Sequence, residues 1–402
     1  MSSAVLPYQG PLGRPQSPAF IAMMVALGCV AFTFFLSTPL LVAFMAQQWG
    51  FGHAQIGFVV SADTAGNTLG ALAVAKGIRG WPMRRILALG MVAMVGGNSL
   101  IALGLGLQPA IVGGLFAGLG NGVVSASAIG FLAYSREPQR NIGFMVVCQN
   151  LYAMALMGLI LPVLTGRWQA SGAFFFVASV GLVCLPAMLL FARGETIPAA
   201  FRSGEVNKVG IYLTMLTLYI CYAGVGVIWT FLAPLAESNG LDRAYIGQVL
   251  TVSTLASLGV SFLVKAMARH SLFGWSRAVI AGCALGAAAL ALPLTPTSFA
   301  VSAMVFVGFW TLTGILVPTL SPVFDPVGRH AALTPAILGL GYSTGSMMGG
   351  LIAEAASPRV AFMVAAGCIA AAAGVLFVQR YFVTPPAAPL AGADAKAGVM
   401  AG

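Results

Sequence analysis

Twelve long apolar runs constrain the fold of this 402-residue chain more than any other feature of its sequence. Each run approaches the roughly 20 apolar residues that a helix needs to cross the hydrocarbon core of a bilayer. Only 7% of the residues are charged, against about 25% in soluble domains. The sequence therefore predicts an integral membrane protein whose helices span about residues 18–46, 54–76, 83–105, 108–134, 141–165, 171–193, 209–235, 245–267, 274–295, 297–321, 331–354 and 359–381.

The basic residues predict how these helices are oriented. With a cytoplasmic N-terminus, sixteen of the nineteen Lys and Arg fall in cytoplasmic segments, and only Arg167, Arg243 and Arg359 fall outside. This bias follows the positive-inside rule, so both termini are predicted to be cytoplasmic in a cell (inner) membrane protein. The net charge of +10 is then explained by attraction of the basic loops to membrane lipids, and it gives no indication of nucleic-acid binding.

Neither enzymatic chemistry nor a cofactor is predicted. The six cysteines are scattered singly without a CxxC pair, so no metal site is indicated. The Gly-x-Ser-x-Gly pattern at 341–345 lies within a predicted membrane helix, and all three histidines lie in loops. An esterase needs that pattern at a strand-to-helix turn, with a His and an acid beside it. The chain is therefore expected not to be an enzyme.

The two halves of the chain repeat one another. The segment His53–Ser61 is echoed by Arg243–Thr251 at an offset of 190 residues, and the same offset pairs Thr64 with Thr254. Such self-similarity indicates a duplicated fold. The predicted organisation is an N-terminal tail at 1–17, a six-helix bundle at 18–193, a cytoplasmic linker at 194–208, a second six-helix bundle at 209–382 and a C-terminal tail at 383–402, with both tails disordered.

The loop after the second helix adds a local motif. It keeps two glycines seven residues apart, and a displaced Arg79 follows them. With twelve helices and an internal repeat, the chain resembles the major facilitator superfamily of secondary transporters. The resemblance implies an all-α fold of two pseudo-symmetric six-helix bundles, a monomer, and alternating access. Val74 stands where the family usually has an acid. The conformational-gating candidates are Gly70, Gly77, Arg79, Arg84, Arg85 and Arg269.

Asp63 is the one acid in the interior of a predicted span. A charge near mid-membrane costs several kcal/mol, so protonation, a partner or a bound cation should neutralise it. Asn67, one helical turn later on the same face, is a candidate hydrogen-bond partner and the second coupling candidate. The hypothesis is that Asp63 couples transport to protons, and the alternative is a protonated structural carboxyl. Glu354 is expected to form a surface ion pair with Arg359 rather than to act as a gate.

Polar and aromatic side chains within the spans predict a substrate cavity. Amide and hydroxyl groups in lipid need partners and so should point inward, and aromatic rings with polar tips suit an organic substrate. The alternative is that each one packs between helices. The first, fourth, seventh and tenth helices line the central cavity in the resembled family. The candidates are Ser37, Thr38, Asn121, Ser125, Gln149, Asn150, Tyr152, Tyr219, Tyr222, Trp229, Trp310, Thr311, Tyr342, Ser343 and Ser346.

These features predict a secondary active transporter of a small organic molecule. The preferred hypothesis is proton-coupled symport of a neutral or weakly acidic aromatic or other organic compound, because no Lys or Arg lies in the interior of a span to bind an anion. A proton-linked efflux carrier for amphipathic compounds is the alternative within the same class. A non-transporting membrane sensor is the alternative from another class.

Overall fold

A computed structural model describes residues 18–77, 81–133, 135, 137–190, 206–261, 267, 271–325 and 333–382. In these residues the fold is entirely helical, without a strand. Ten of the described helices are long and apolar enough to cross a membrane. The shorter apolar helix Ser171–Ala187 and the helix Arg243–Ser261 bring the arrangement to the twelve predicted crossings. The predicted tails and most of the linker lie outside the described residues.

The twelve crossings are labelled in chain order. They are α1 Pro18–Trp49, α2 His53–Ala75, α3 Met83–Ala102, α4 Leu107–Ala133, α5 Arg140–Thr165, α6 Ser171–Ala187, α7 Lys208–Ser238, α8 Arg243–Ser261, α9 Leu272–Leu290, α10 Pro296–Leu320, α11 Thr334–Ala355 and α12 Pro358–Phe382. The inner face is the one at which α1 begins and α12 ends. The names inner and outer follow the orientation predicted from the basic residues.

Two groups of six helices pack side by side. Helices α1 to α6 form one group, in which α2 and α3 lie against α4, and helices α7 to α12 form the other, in which α11 and α12 lie against α7. The groups meet along α2 with α11, α5 with α8, and α1 with α7. The first two of these contacts correspond to one another under the sequence repeat, as two pseudo-symmetric bundles require.

Two predicted helix boundaries differ in the structure. Helix α1 is interrupted at Phe32, between helical segments Pro18–Ala31 and Thr33–Trp49. The expected break between α5 and α6 is instead helical backbone, because one segment runs through Leu161–Val180. The chain nevertheless turns back there: Phe174 stacks on Trp49 at the outer face, and Cys184 returns to the cluster around Met24 near the inner face. The backbone hydrogen-bond pattern alone therefore does not mark the place where the chain reverses direction.

The closest helix contact inside the first bundle joins α2 to α4. A Cβ atom at Gly118 would collide with the carbonyl oxygen of Asp63, and one at Gly122 would collide with that of Asn67. Small residues spaced four apart allow two backbones in a membrane to approach this closely. The glycine stripe of α4 therefore holds α2, and the polar residues on it, in a defined position.

We predict that Gly118→Ala lowers the stability of the folded protein by about 1–3 kcal/mol, because the added methyl group overpacks a backbone contact. Thermal unfolding in detergent, followed with a dye that reacts with exposed cysteines, measures the effect. The matched control is Gly96→Ala on α3, where no atom lies within 4 Å of the added Cβ. Equal melting temperatures for the two variants would contradict the close contact.

Candidate functional site

A cavity of about 700 Å³ lies between the two bundles. Its described lining contains no Asp, Glu, Lys or Arg, and most of its surface is aromatic or aliphatic. Cavities of this size and character are typical of sites for small organic ligands. The aromatic side chains that line it are Phe32, Phe35, Tyr222, Trp229, Trp310 and Tyr342.

The cavity extends toward the inner face. Its lining includes Ala71 and Ala75 at the inner end of α2 and Pro335 at the inner start of α11. Trp229, Trp310 and Phe35 pack together near its other end, with Trp229 and Trp310 ring centroids 5.1 Å apart and those of Phe35 and Trp310 6.1 Å apart. The cavity therefore reaches from this aromatic cluster to the inner ends of α2 and α11.

A proline in α1 makes one of the bonds between the bundles possible. Pro39 has no N–H, so the carbonyl of Phe35, four residues earlier, lacks its usual helical donor. The indole Nε1 of Trp229 on α7 donates to that oxygen at 3.0 Å. In a membrane a freed backbone carbonyl needs such a substitute. The bond orients the Trp229 ring over the cavity and joins α1 to α7.

Contacts between α2 and α11 close the outer half of the interface. The hydroxyl oxygens of Ser61 and Ser343 are 2.8 Å apart, and a Cβ on Gly57 would lie only 2.6 Å from the carbonyl oxygen of Ser346. Further out, the Glu354 carboxylate accepts a hydrogen bond of 2.8 Å from the backbone N–H of Ala54. Tight backbone packing and the hydrogen bond from Ala54 to Glu354, which we call the polar latch, thus close this face.

Glu354 does not form the expected ion pair with Arg359. The guanidinium of Arg359 instead donates to Asn239 at 3.0 Å, whereas the Glu354 carboxylate caps the first turn of α2 in the other bundle. Free N–H groups and the positive end of the helix dipole attract a carboxylate at this position. A second bridge, from the Gln47 amide to Glu237 at 3.1 Å, joins the outer ends of α1 and α7.

Asp63 lies in the wall between α2 and α4 rather than on the cavity surface. Its side chain is buried, and Asn121 of α4 donates to its Oδ1 at 3.5 Å. Asn67, the expected partner, instead lines the cavity. The neighbouring Thr64 also lines it, so Asp63 sits directly behind one wall. The prediction of the partner is thus corrected, because helix α4 approaches the Asp63 face of α2.

Seven of the predicted cavity residues are placed along the cavity. They are Ser125, Asn150, Tyr222, Trp229, Trp310, Thr311 and Tyr342. The fold brings them together from helices α4, α5, α7, α10 and α11. Tyr342 also packs on Phe35 with ring centroids 5.1 Å apart, and its hydroxyl lies 3.4 Å from that of Thr230.

The other eight predicted residues are not among the lining residues, and the expectation that they line the cavity is corrected. Each finds a hydrogen-bond partner within the helix packing, which satisfies its polar group there. Ser37 and Thr38 donate to carbonyls of their own helix, Asn121 donates to Asp63, Gln149 donates to the carbonyl of Gly28, Tyr152 pairs with Thr33, Tyr219 donates to Thr344, Ser343 pairs with Ser61, and Ser346 pairs with Thr230.

The gating candidates are only partly described. Gly70 packs so closely on the carbonyl of Leu119 that a Cβ would collide with it, so it belongs to the contact of α2 with α4. Gly77 ends a π-helical turn that begins at Ala73. Arg84 is half-buried and Arg85 is exposed in the first turn of α3. Arg79 and Arg269 lie outside the described residues.

The structure adds lining residues that were not predicted. Thr64, Thr68, Thr254, Phe32 and Phe35 all face the cavity. Thr64 and Thr254 are matched by the sequence repeat, so this symmetry was a signal that could have identified them. The two phenylalanines carried no such signal, because an apolar residue in a membrane helix fits lipid, packing or a cavity equally well.

A duplicated bundle of twelve crossings around a central cavity defines a secondary transporter. The sequence profile of the Major Facilitator Superfamily matches residues 23–324. The chain belongs to this superfamily, and it is a membrane transporter rather than an enzyme. No curated protein matches it by sequence.

Solved structures share the fold at low sequence identity. One is a mutant of the nucleoside transporter NupG, with 11% identity, a TM-score of 0.72, and 90% of this chain and 99% of that chain covered. The POT family transporter PepTSo has 12% identity and a TM-score of 0.71, with 91% and 98% covered. The human organic anion transporter MFSD10 has 13% identity and a TM-score of 0.60, with 90% and 100% covered.

We predict that Glu354→Gln weakens closure of the outer face. Gln keeps an acceptor for the Ala54 N–H but removes the negative charge from the start of α2, which costs about 0.5 kcal/mol, so the outward-open fraction should rise about twofold. Spin labels are attached at Gln108 and Thr297, which are exposed on the outer ends of α4 and α10, in a variant without native cysteines. Double electron–electron resonance then measures the distance between the two labels. Glu137→Gln, an exposed acid at the inner face, is the control. Identical distance distributions for Glu354→Gln and the parent would refute the latch.

Proposed function

We propose that this protein is a proton-coupled symporter of a small organic compound that binds in an uncharged or protonated form. The observation that carries the proposal is the cavity between the bundles, which has an aromatic and uncharged lining and a buried carboxyl directly behind one wall. An anionic ligand would find no counter-charge among the described lining residues. An aromatic or amphipathic ligand would gain from burial against the rings.

The contacts between the two bundles indicate how the transport cycle would proceed. The cavity reaches toward the inner ends of α2 and α11, and contacts of α2 with α11 and of α1 with α7 close the outer side. Rocking of the two bundles would break these contacts and expose the same cavity to the other side. The contact of α2 with α4 lies within one bundle, so Asp63 and Asn121 would move together.

Asp63 is the proposed proton site. A carboxylate buried in the membrane is costly unless it is neutralised, and the one described hydrogen bond to its side chain, from Asn121, is long. Neutralisation by a proton would therefore be favoured. Substrate in the cavity would lie against Thr64 and Asn67, on the same helix, so ligand binding and protonation would act on one element.

The alternative of a proton-linked efflux carrier uses the same cavity. Its aromatic rings would accept amphipathic compounds equally well, and only the direction of proton movement separates the two functions. A sensor that does not transport would bind a compound without any flux. The proposed location in the cell (inner) membrane, with both termini cytoplasmic, rests on the distribution of basic residues.

We predict that Asp63→Asn abolishes proton-coupled current but leaves binding intact. Proteoliposomes on a solid-supported membrane, given the neutral compound tryptophol, would show an inward positive current for symport and the opposite sign for proton antiport. Asp242→Asn is the control, because this exposed acid caps the start of α8 and Asn serves as well in that role. A full-sized current from correctly folded Asp63→Asn protein would rule out the coupling role.

A further inference from the structure

Five Thr and Ser hydroxyl groups around the cavity share one local geometry. Thr64, Thr68, Thr254 and Thr311 each donate to the carbonyl oxygen four residues earlier in their own helix, at 3.0, 3.0, 2.9 and 2.8 Å. Ser125 donates to the carbonyl three residues earlier, at 3.3 Å. A hydroxyl has one proton and two lone pairs. These five groups therefore face the cavity as hydrogen-bond acceptors.

Donors are fewer on the same surface, where they come from the hydroxyls of Tyr222 and Tyr342 and from the Asn67 and Asn150 amides. The indole N–H of Trp229 is already bonded to the Phe35 carbonyl, and one N–H of the Asn150 amide is bonded to the carbonyl of Val146 at 2.8 Å. The Asn67 amide supplies a donor and an acceptor. The faces of the aromatic rings add negative electrostatic potential. The cavity is thus biased toward accepting hydrogen bonds and positive charge.

The described lining contains no basic side chain, which strengthens this bias. A ligand carboxylate placed against these five hydroxyls would have to draw their protons away from helix carbonyls, with a loss of about fivefold in affinity for each bond. A ligand amine or alcohol would donate to the lone pairs of these hydroxyl oxygens without breaking their bonds to the helix carbonyls.

Building on the proposed transport function, we infer that the substrate has an aromatic body with N–H or O–H donors and carries no carboxylate. Thr64 and Thr254 are the residues that determine this specificity. The sequence repeat relates them, so they present acceptors from α2 and α8, in the two bundles that move during transport. A ligand with two donors would bridge the bundles through this pair.

Three compounds with the same carbon skeleton test the inference: tryptamine, tryptophol and indole-3-acetate. Purified protein in detergent at pH 7.5 is titrated with tritiated tryptamine, and the other two compete. We expect tryptophol to compete within about tenfold of tryptamine, and indole-3-acetate to be at least tenfold weaker than either. Equal or tighter binding of indole-3-acetate overturns the inference, as does the absence of saturable binding of both tryptamine and tryptophol.

Two variants test the proposed residues. Thr64→Val and Thr254→Val keep the shape of the side chain but remove the acceptor, and each should weaken tryptamine binding about fivefold. The control is Thr217→Val on α7, whose buried hydroxyl donates to the carbonyl of Leu213 at 2.9 Å with the same local geometry but does not line the cavity. Losses no larger than that of the control would refute the role of Thr64 and Thr254.

The outcome is separable from that of the transport proposal. Counterflow of tritiated tryptamine in proteoliposomes measures exchange without a proton gradient. Counterflow of indole-3-acetate instead would overturn the substrate class and leave a transporter. Tight tryptamine binding without any counterflow would keep the binding specificity and overturn transport.

Discussion

Helix α2 is the element on which the rest of this structure depends, because it packs against backbone on two sides. Toward α4, Gly118 and Gly122 allow contact with the carbonyls of Asp63 and Asn67. Toward α11, Gly57 and Gly350 allow a similar approach at the outer end. The first contact lies within a bundle and the second between bundles. Alternating access requires the second to separate while the first is kept, so α2 carries its polar residues as part of a rigid unit.

The outer closure combines interactions of different character. Backbone packing between α2 and α11 is short-ranged, because a gap of about 0.5–1 Å already removes a quarter to a half of the dispersion attraction. The Glu354 cap and the bridge from Gln47 to Glu237 are polar contacts at the outer ends, where water can replace them. Such a seal is stable but reversible. The indole bond from Trp229 to Phe35 lies deeper and connects this closure to the cavity wall.

The sequence predicted correctly that some residues line the cavity, and it misplaced others for a physical reason. Trp229, Trp310 and Tyr342 were expected at the cavity and line it. Ser343 and Gln149 were expected there too, but they bond to a neighbouring helix. A polar side chain in a membrane helix must find a partner, and the partner can be a cavity or an adjacent helix. The hydropathy pattern does not distinguish these two.

The sequence by itself determined the class of fold: long apolar runs, sparse charges and the 190-residue repeat lead to a duplicated bundle of membrane helices, because lipid leaves the backbone few other choices. The isolated acid at position 63 was equally evident. Only the tertiary structure decided which face of each helix meets a neighbour. It placed Asn121 rather than Asn67 beside Asp63, and it placed Glu354 on the start of α2. These pairings depend on helix rotation and on contacts across some 300 residues of chain, which no local pattern records.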